Sequence, residues 1–137
     1  MFDFDLNISL NEASPLYLAY IGDAVYELYI RTIIAKDANI PVSKLHKAAT
    51  SYVKAKAQSD TVHKLMEYLT EEEIRVFKRG RNAKSYTSAK NANIVDYRHA
   101  TGFEALIGYL YLKKDFERLN EILNKCQFIN IHNKGEF

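Results

Sequence analysis

Asp23, in the run Gly22-Asp23-Ala24-Val25-Tyr26-Glu27-Leu28, and Glu104, in Gly102-Phe103-Glu104-Ala105-Leu106-Ile107-Gly108-Tyr109-Leu110, each set a carboxylate inside a strongly apolar pattern of helical spacing. Burying such a charge is unfavourable unless something pairs with it, and a divalent cation is one such partner. A second group of residues is basic. Between Ile74 and Val95 stand Arg75, Lys78, Arg79, Arg81, Lys84 and Lys90 with no acid among them, so the rest of the chain is net acidic. Gly80, Asn82, Ser85, Tyr86, Thr87, Ser88, Asn91 and Asn93 are interleaved and supply donors suited to phosphate contacts. Acids able to hold Mg²⁺, next to a basic run able to hold a phosphate backbone, suit metal-assisted phosphodiester hydrolysis.

Plainer readings of the same residues stay open at this point. Asp23 and Glu104 could be ordinary partly exposed helix charges paired with Arg31 or Arg98, and the basic run a solvated loop. Against the first, Gly22, Gly102 and Gly108 each cost about 1 kcal/mol relative to alanine inside a helix, which points to close packing around the acids. Glu27, one turn after Asp23, is a candidate further carboxylate, acting through water or by positioning Asp23. Thr101 offers a hydroxyl either to a metal-bound water or back to the helix carbonyls.

The elements that must position these groups read as helices throughout. Ser14-Pro15 is a cap followed by proline at the first helical position, and Leu18, Ile21, Val25 and Leu28 then mark the inner stripe of a helix over about 15–36. At about 100° per residue, Asp23 falls outside that stripe with Leu16, Ala19, Tyr20, Glu27 and Ile30. Pro41 and Ser43 open a second helix around 44–50. A third stretch, about 52–69, has Val53, Ala57, Val62, Leu65 and Met66 as its expected inner face. Thr70 and Glu73 have the form of a capping box, predicting a helix over 71–79 with Gly80 as terminator. Helical spacing returns from Asp96 to about Lys113, with Glu104 sharing a face with Ala100, Thr101, Gly108 and Tyr111. Phe116, Leu119, Ile122 and Leu123 mark a last helix before a polar tail at 130–137. No alternating strand appears, so the expected class is all-α.

With 137 residues, 47% of them hydrophobic, the chain is expected to form one domain that buries roughly two thirds of its unfolded surface. A net charge of +2 says nothing by itself about nucleic acid. One cysteine, Cys126, excludes an internal disulfide and agrees with a reducing compartment. No leader pattern and no apolar run near the roughly 20 residues needed to span a bilayer is visible, so the expected location is cytoplasmic.

Tyr20-Ile21-Gly22-Asp23-Ala24-Val25 resembles the core of the ribonuclease III signature, and Phe103-Glu104-Ala105-Leu106-Ile107-Gly108 resembles that family's second acidic motif. The run Lys78-Arg79-Gly80-Arg81-Asn82-Ala83-Lys84-Ser85, with Tyr97-Arg98 and Thr101-Gly102-Phe103-Glu104, is similar to the Mini-III ribonucleases, which lack the double-stranded-RNA-binding domain usual in the wider family. The likeness covers roughly residues 14–125. Two departures stand out. The wider family has a glutamate where this chain has Ala19 and an aspartate where it has Thr101; the Mini-III pattern shares both changes.

The resemblance implies an all-α catalytic domain and Mg²⁺-dependent cleavage of double-stranded RNA, with Mn²⁺ as a substitute. It further implies 5′-phosphate and 3′-hydroxyl ends, one strand cut by each subunit of a homodimer, and the precursor of large-subunit ribosomal RNA as substrate. A ribosomal protein or other accessory partner fits the same picture. Asp23 and Glu104 are then the catalytic and metal-binding acids, with Glu27 as a further ligand candidate. Lys78, Arg79, Arg81, Lys84 and Ser85 are the expected RNA contacts. The tyrosines point the same way: Tyr17, Tyr20, Tyr26, Tyr29, Tyr109 and Tyr111 fall on the two acid-bearing helices in excess of what one small core needs, which favours an interface through the Asp23 helix.

His46, His63, His99 and His132 have neither metal-ligand spacing nor a common face, with His46 and His63 expected on solvated faces. Cys126 lacks a base partner and reads as a small apolar residue. Two rival classes remain: a non-catalytic module that binds duplex RNA, and a helical adaptor whose basic run binds an acidic protein.

Overall fold

The computed structural model describes residues 2–36, 39–84 and 93–134, with side chains described as far as residue 127. Among these residues the chain forms α1 (Pro15–Ala35), α2 (Val42–Val53), α3 (Ala55–Leu65), a single 3-10 turn (Met66–Tyr68), α4 (Glu71–Arg81), α5 (Ile94–Leu112) and α6 (Phe116–Lys134), with no strand. No described helix is long and apolar enough to cross a membrane.

α5 is the axis of the fold, and α1, α3, α4 and α6 all pack on it. From Ala100 to Leu112 every residue is buried except Glu104, which is half-buried. A helix apolar on all sides is one enclosed by neighbours. Tyr26 of α1 meets Phe103 of α5 edge to face at 4.8 Å, and Val62, Leu65, Phe77, Ile122 and Cys126 close the core from the other helices.

The sequence signals hold at several helix ends. Ser14 caps α1 by accepting the Leu16 amide, Pro15 takes the first position, and Thr70 with Glu73 makes both bonds of the capping box on α4. Other expectations are corrected. The stretch 52–69 is not one continuous helix: extended backbone at Lys54 (ψ 148°) separates α2 from α3. Gly80 does not end α4. It is buried inside the helix, where a Cβ would lie 2.8 Å from both the Cβ of Ala105 and the Cα of Gly102; its role is the close crossing of α4 on α5.

On α1 the buried face is Leu18, Ala19, Gly22, Val25, Tyr26 and Ile30, whereas Leu28, expected inside, is 53% exposed. The inner face is thus rotated towards Asp23, because α1 must bring Gly22 against α5. Of the inner face expected over 52–69, Val62 and Leu65 of α3 are buried, but Ala57 of α3, Val53 at the end of α2 and Met66 in the 3-10 turn are only partly so, and Gln58, Ser59 and Thr61 take the remaining inner positions of α3. α6 runs through 130–134, part of the expected polar tail.

Candidate active site

Two glycines determine how Asp23 meets Glu104. A Cβ on Gly22 would fall 1.7 Å from the Glu104 carbonyl oxygen, and one on Gly108 would fall 1.9 Å from that of Leu18. Only the absence of side chains at both positions lets the backbones of α1 and α5 come this close, and the two acids flank the crossing. Asp23 is exposed at the edge of α1, and Glu104 is the one half-buried residue of the inner α5 segment. Their carboxyl groups are close enough to interact.

The consequence is electrostatic. Burial pushes the Glu104 carboxyl up to about 9; the neighbouring Asp23 carboxyl pushes the same way, and the amide of Gln58 opposes them. At neutral pH Glu104 therefore carries a proton. A cation arriving at this pair would take the place of that proton. Among the described residues no group of three or more histidine, cysteine, aspartate or glutamate side chains could surround a metal. Two adjacent carboxylates without a third ligand suit an ion that keeps several waters and takes its other oxygens from a substrate, as Mg²⁺ does.

Glu27 lies on the same helix one turn on, where it accepts from the Arg31 guanidinium at 2.9 Å. That pairing answers the plainer reading of Asp23: Arg31 is engaged by Glu27. Thr101 donates its hydroxyl to the Tyr97 carbonyl at 3.0 Å, the helix-internal alternative, and sits buried where α4 crosses α5 at Gly80. Gln58, on the inner face of α3, was not among the expected site residues. The signal was there: Gln58, Val62 and Leu65 stand at spacings of four and three, so an amide lies in register with a buried stripe.

Most of the expected basic contacts are helical. Lys78, Arg79 and Arg81 lie in the last turns of α4, where positive charge also complements the helix dipole. Lys78 is exposed; Arg79 donates to the Ala13 carbonyl at 3.2 Å; Arg81 donates to Asn82 at 3.1 Å and lies over the Phe77 ring. Lys84 follows the helix, exposed. Ser85, like Lys90, lies outside the described residues. Ile74, Arg75, Lys78, Arg79 and Asn82 line a shallow groove against Pro15, about two turns along α1 from Asp23.

Of the tyrosines, Tyr26, Tyr109 and Tyr111 belong to the core, and Tyr29 donates to Gln127 at 3.0 Å. The expectation that all six exceed the needs of the core is therefore corrected to Tyr17 and Tyr20, the latter 78% exposed, which form with Leu16 and Leu28 an uncovered apolar stripe on α1. His46 and His63 are exposed, His63 stacked on His99 at 4.6 Å. Cys126 is fully buried, and burial pushes its thiol far above the ordinary range, as befits an apolar core residue.

Comparison with known proteins agrees with this architecture. Residues 16–115 match the Ribonuclease III domain family. The Mini-ribonuclease 3 of Clostridium tetani is 62% identical over 133 residues, covering 93% of this chain and 87% of that protein. The Mini-ribonuclease 3 of Staphylococcus aureus is 49% identical over 114 residues, 82% of this chain and 85% of that one. A solved crystal structure of a Fusobacterium nucleatum protein superposes with a TM-score of 0.76 at 34% identity, over 82% of this chain and 92% of that one. With an all-α fold built around two adjacent acids, this chain belongs to the ribonuclease III family and is an endoribonuclease of that class.

Proposed function

We propose that this endoribonuclease cleaves double-stranded RNA with Mg²⁺, or Mn²⁺ in its place, and that Asp23 and Glu104 are its catalytic and metal-holding acids. The observation that carries the reading is the adjacency of the two carboxyl groups at a glycine-lined crossing, one of them held protonated at neutral pH. A structural ion pair would set an acid against a base; here an acid faces an acid. When bound, the ion supplies Lewis acidity towards a phosphate oxygen and lowers the pKa of a coordinated water.

The residues of the chain do the rest. Asp23, open to solvent, and Glu104, once its proton has left, hold the ion. The buried side of Glu104 excludes water behind the site, so charge developing at the phosphate meets a fixed field rather than a mobile one. Lys78, Arg79, Arg81 and Lys84 neutralise backbone phosphates and Ser85 offers a hydroxyl donor to one, which positions an A-form duplex by shape without reading its sequence. Glu27 is a further ligand through water; Glu27→Gln is expected to raise the Mg²⁺ requirement for cleavage, and unchanged cutting at limiting Mg²⁺ would remove it from the site.

The same reading takes the chain as one catalytic domain, working in the cytoplasm on the precursor of large-subunit ribosomal RNA, with a ribosomal or other accessory protein as a further partner. Its active form is a homodimer through the Leu16, Tyr17, Tyr20 and Leu28 stripe of α1, since an exposed apolar face next to an active acid is suited to a second copy. Sedimentation of Tyr20→Glu against the wild type tests this: a lighter species is expected, and an unchanged mass would discard the interface.

The decisive experiment is cleavage of a labelled duplex by the wild type and by Asp23→Asn, in Mg²⁺ and in EDTA, with folding checked. Mg²⁺-dependent cutting lost in a folded variant is the expected result. Duplex binding without cutting by the wild type would instead indicate a binding module, and neither would point to an adaptor.

A further inference from the structure

Gln58 has the only buried side-chain polar atom, among the described residues, that makes no hydrogen bond: its Nε2 is without a partner, and the residue is 1% exposed. An unsatisfied buried amide is unfavourable, and an apolar side chain of similar length would fill the same space without that penalty. Packing therefore does not account for it. Its direction does: the amide is turned towards the Glu104 carboxyl, and it favours the charged form of that group, against burial and against Asp23. The interaction falls short of hydrogen-bonding geometry, so the donor is aimed at the site and not yet used.

We propose that Gln58 is the positioning residue of Glu104: its Nε2 donates to the Glu104 carboxylate and fixes the orientation in which that side chain meets the metal. Three helices then meet at one site. α1 supplies Asp23, α5 supplies Glu104, and α3 supplies the group that orients Glu104 from the buried side. A carboxylate that ligates through one oxygen leaves the other in need of a donor, and in a buried position water is not there to provide it. The inference rests on the reading of Glu104 as a metal ligand.

The test has two arms. The first compares single-turnover cleavage of a labelled duplex by the wild type and Gln58→Leu across a Mg²⁺ titration, with duplex affinity measured in Ca²⁺. Gln58→Leu is expected to need about ten-fold more Mg²⁺ for half-maximal cutting, while binding the duplex as the wild type does and melting at the same or a higher temperature. A merely structural role would lower the melting temperature and leave the Mg²⁺ requirement alone.

The second arm needs no activity. The chain has two glutamines, Gln58 and Gln127, so ¹⁵N-glutamine labelling gives two side-chain amide pairs, and Gln127 serves as the control. The Gln58 pair is expected to shift with Glu104→Ala and with Mg²⁺, and to lose its Mg²⁺ response in Glu104→Ala; the Gln127 pair stays in place throughout. A Gln58 pair indifferent to Glu104→Ala and to Mg²⁺ would overturn the proposal, as would Gln58→Leu with the wild-type Mg²⁺ requirement. Should Gln58→Leu not fold, the labelled wild type decides alone. Absence of Mg²⁺-dependent cutting by the wild type would sink the nuclease reading and this role with it, whereas normal cutting with an indifferent Gln58 would sink only the role.

Discussion

Glu73 and Glu104 are both glutamates withdrawn into the same helical core, yet their surroundings are opposite. Burial pushes the Glu73 carboxyl up, but the Arg118 guanidinium, bonded at 2.8 Å to both of its oxygens, and the Thr70 backbone amide outweigh it and hold the group below the ordinary range. Arg118 is itself held by Glu121 and by the Tyr68 carbonyl, so every charge there has an answer. Glu104 has another acid as its neighbour, an amide that falls short of it, and a carboxyl pushed up to about 9. The contrast separates a charge that ties α4 to α6 from an acid whose neighbours are another acid and an amide that is not bonded to it. Completeness of the partner set, more than burial, tells the structural acid from the functional one.

The contrast is most easily broken by removing each charge in turn. Glu104→Gln is expected to lower the single-turnover cleavage rate by at least about 10³-fold, while the metal-free protein gains about 2 kcal/mol of stability at pH 8 because no proton has to be held there. Glu73→Gln should do the reverse, losing about 3 kcal/mol in chemical denaturation with cleavage by the folded fraction unchanged. Equal effects of the two substitutions on either measurement would erase the distinction.

The pH dependence sharpens it further. Folded Glu104 keeps a proton that the unfolded chain has released above its ordinary value of about 4.5, so stability of the metal-free protein falls as pH rises from about 4.5 to about 9. Glu73 has a depressed folded value, so its contribution is present above the unfolded value and disappears as pH falls through the acid range. Thermal melts from acid to alkaline pH should show both effects: Glu104→Gln flattens only the fall between about 4.5 and about 9, and Glu73→Gln only the loss below the unfolded value. The smallest effect belongs to a residue near neither acid. Arg81→Ala is expected to weaken duplex binding at all sequences and to reduce the slope of log affinity against log salt by about 1, with both glutamates behaving as before; an unaltered slope would count against the contact.

Much of this was legible in the residues. The capping box at Thr70 and Glu73 and the Ser14-Pro15 start were readable because those signals are local and depend on one turn of chain. The two acids were readable because each breaks an apolar pattern. Gly80 was misread for a physical reason: a glycine before a polar stretch looks the same whether it ends a helix or lets another helix touch it, and only the partner at Gly102 and Ala105 decides. The rotated inner face of α1 was hidden likewise, since Gly22 carries no hydrophobicity and yet lies at the centre of the contact. Gln58 was passed over because a polar residue at an inner position has no meaning until its target on another helix is known.

Gly22 and Gly108 give the spacing of the two acids an unusual source. Elsewhere in a protein the distance between two side chains drifts as neighbouring residues are exchanged, and selection can tune it in small steps. Here the separation is set by main chain resting on main chain, so it has no gradations: a single methyl group at either glycine forces the helices apart and the proposed catalytic pair with them. The same contact shields the amides of the crossing, which should be among the last in the molecule to exchange with deuterium. The chain is then free to vary over much of its surface while its chemistry stays pinned to one point where nothing larger than hydrogen is admitted.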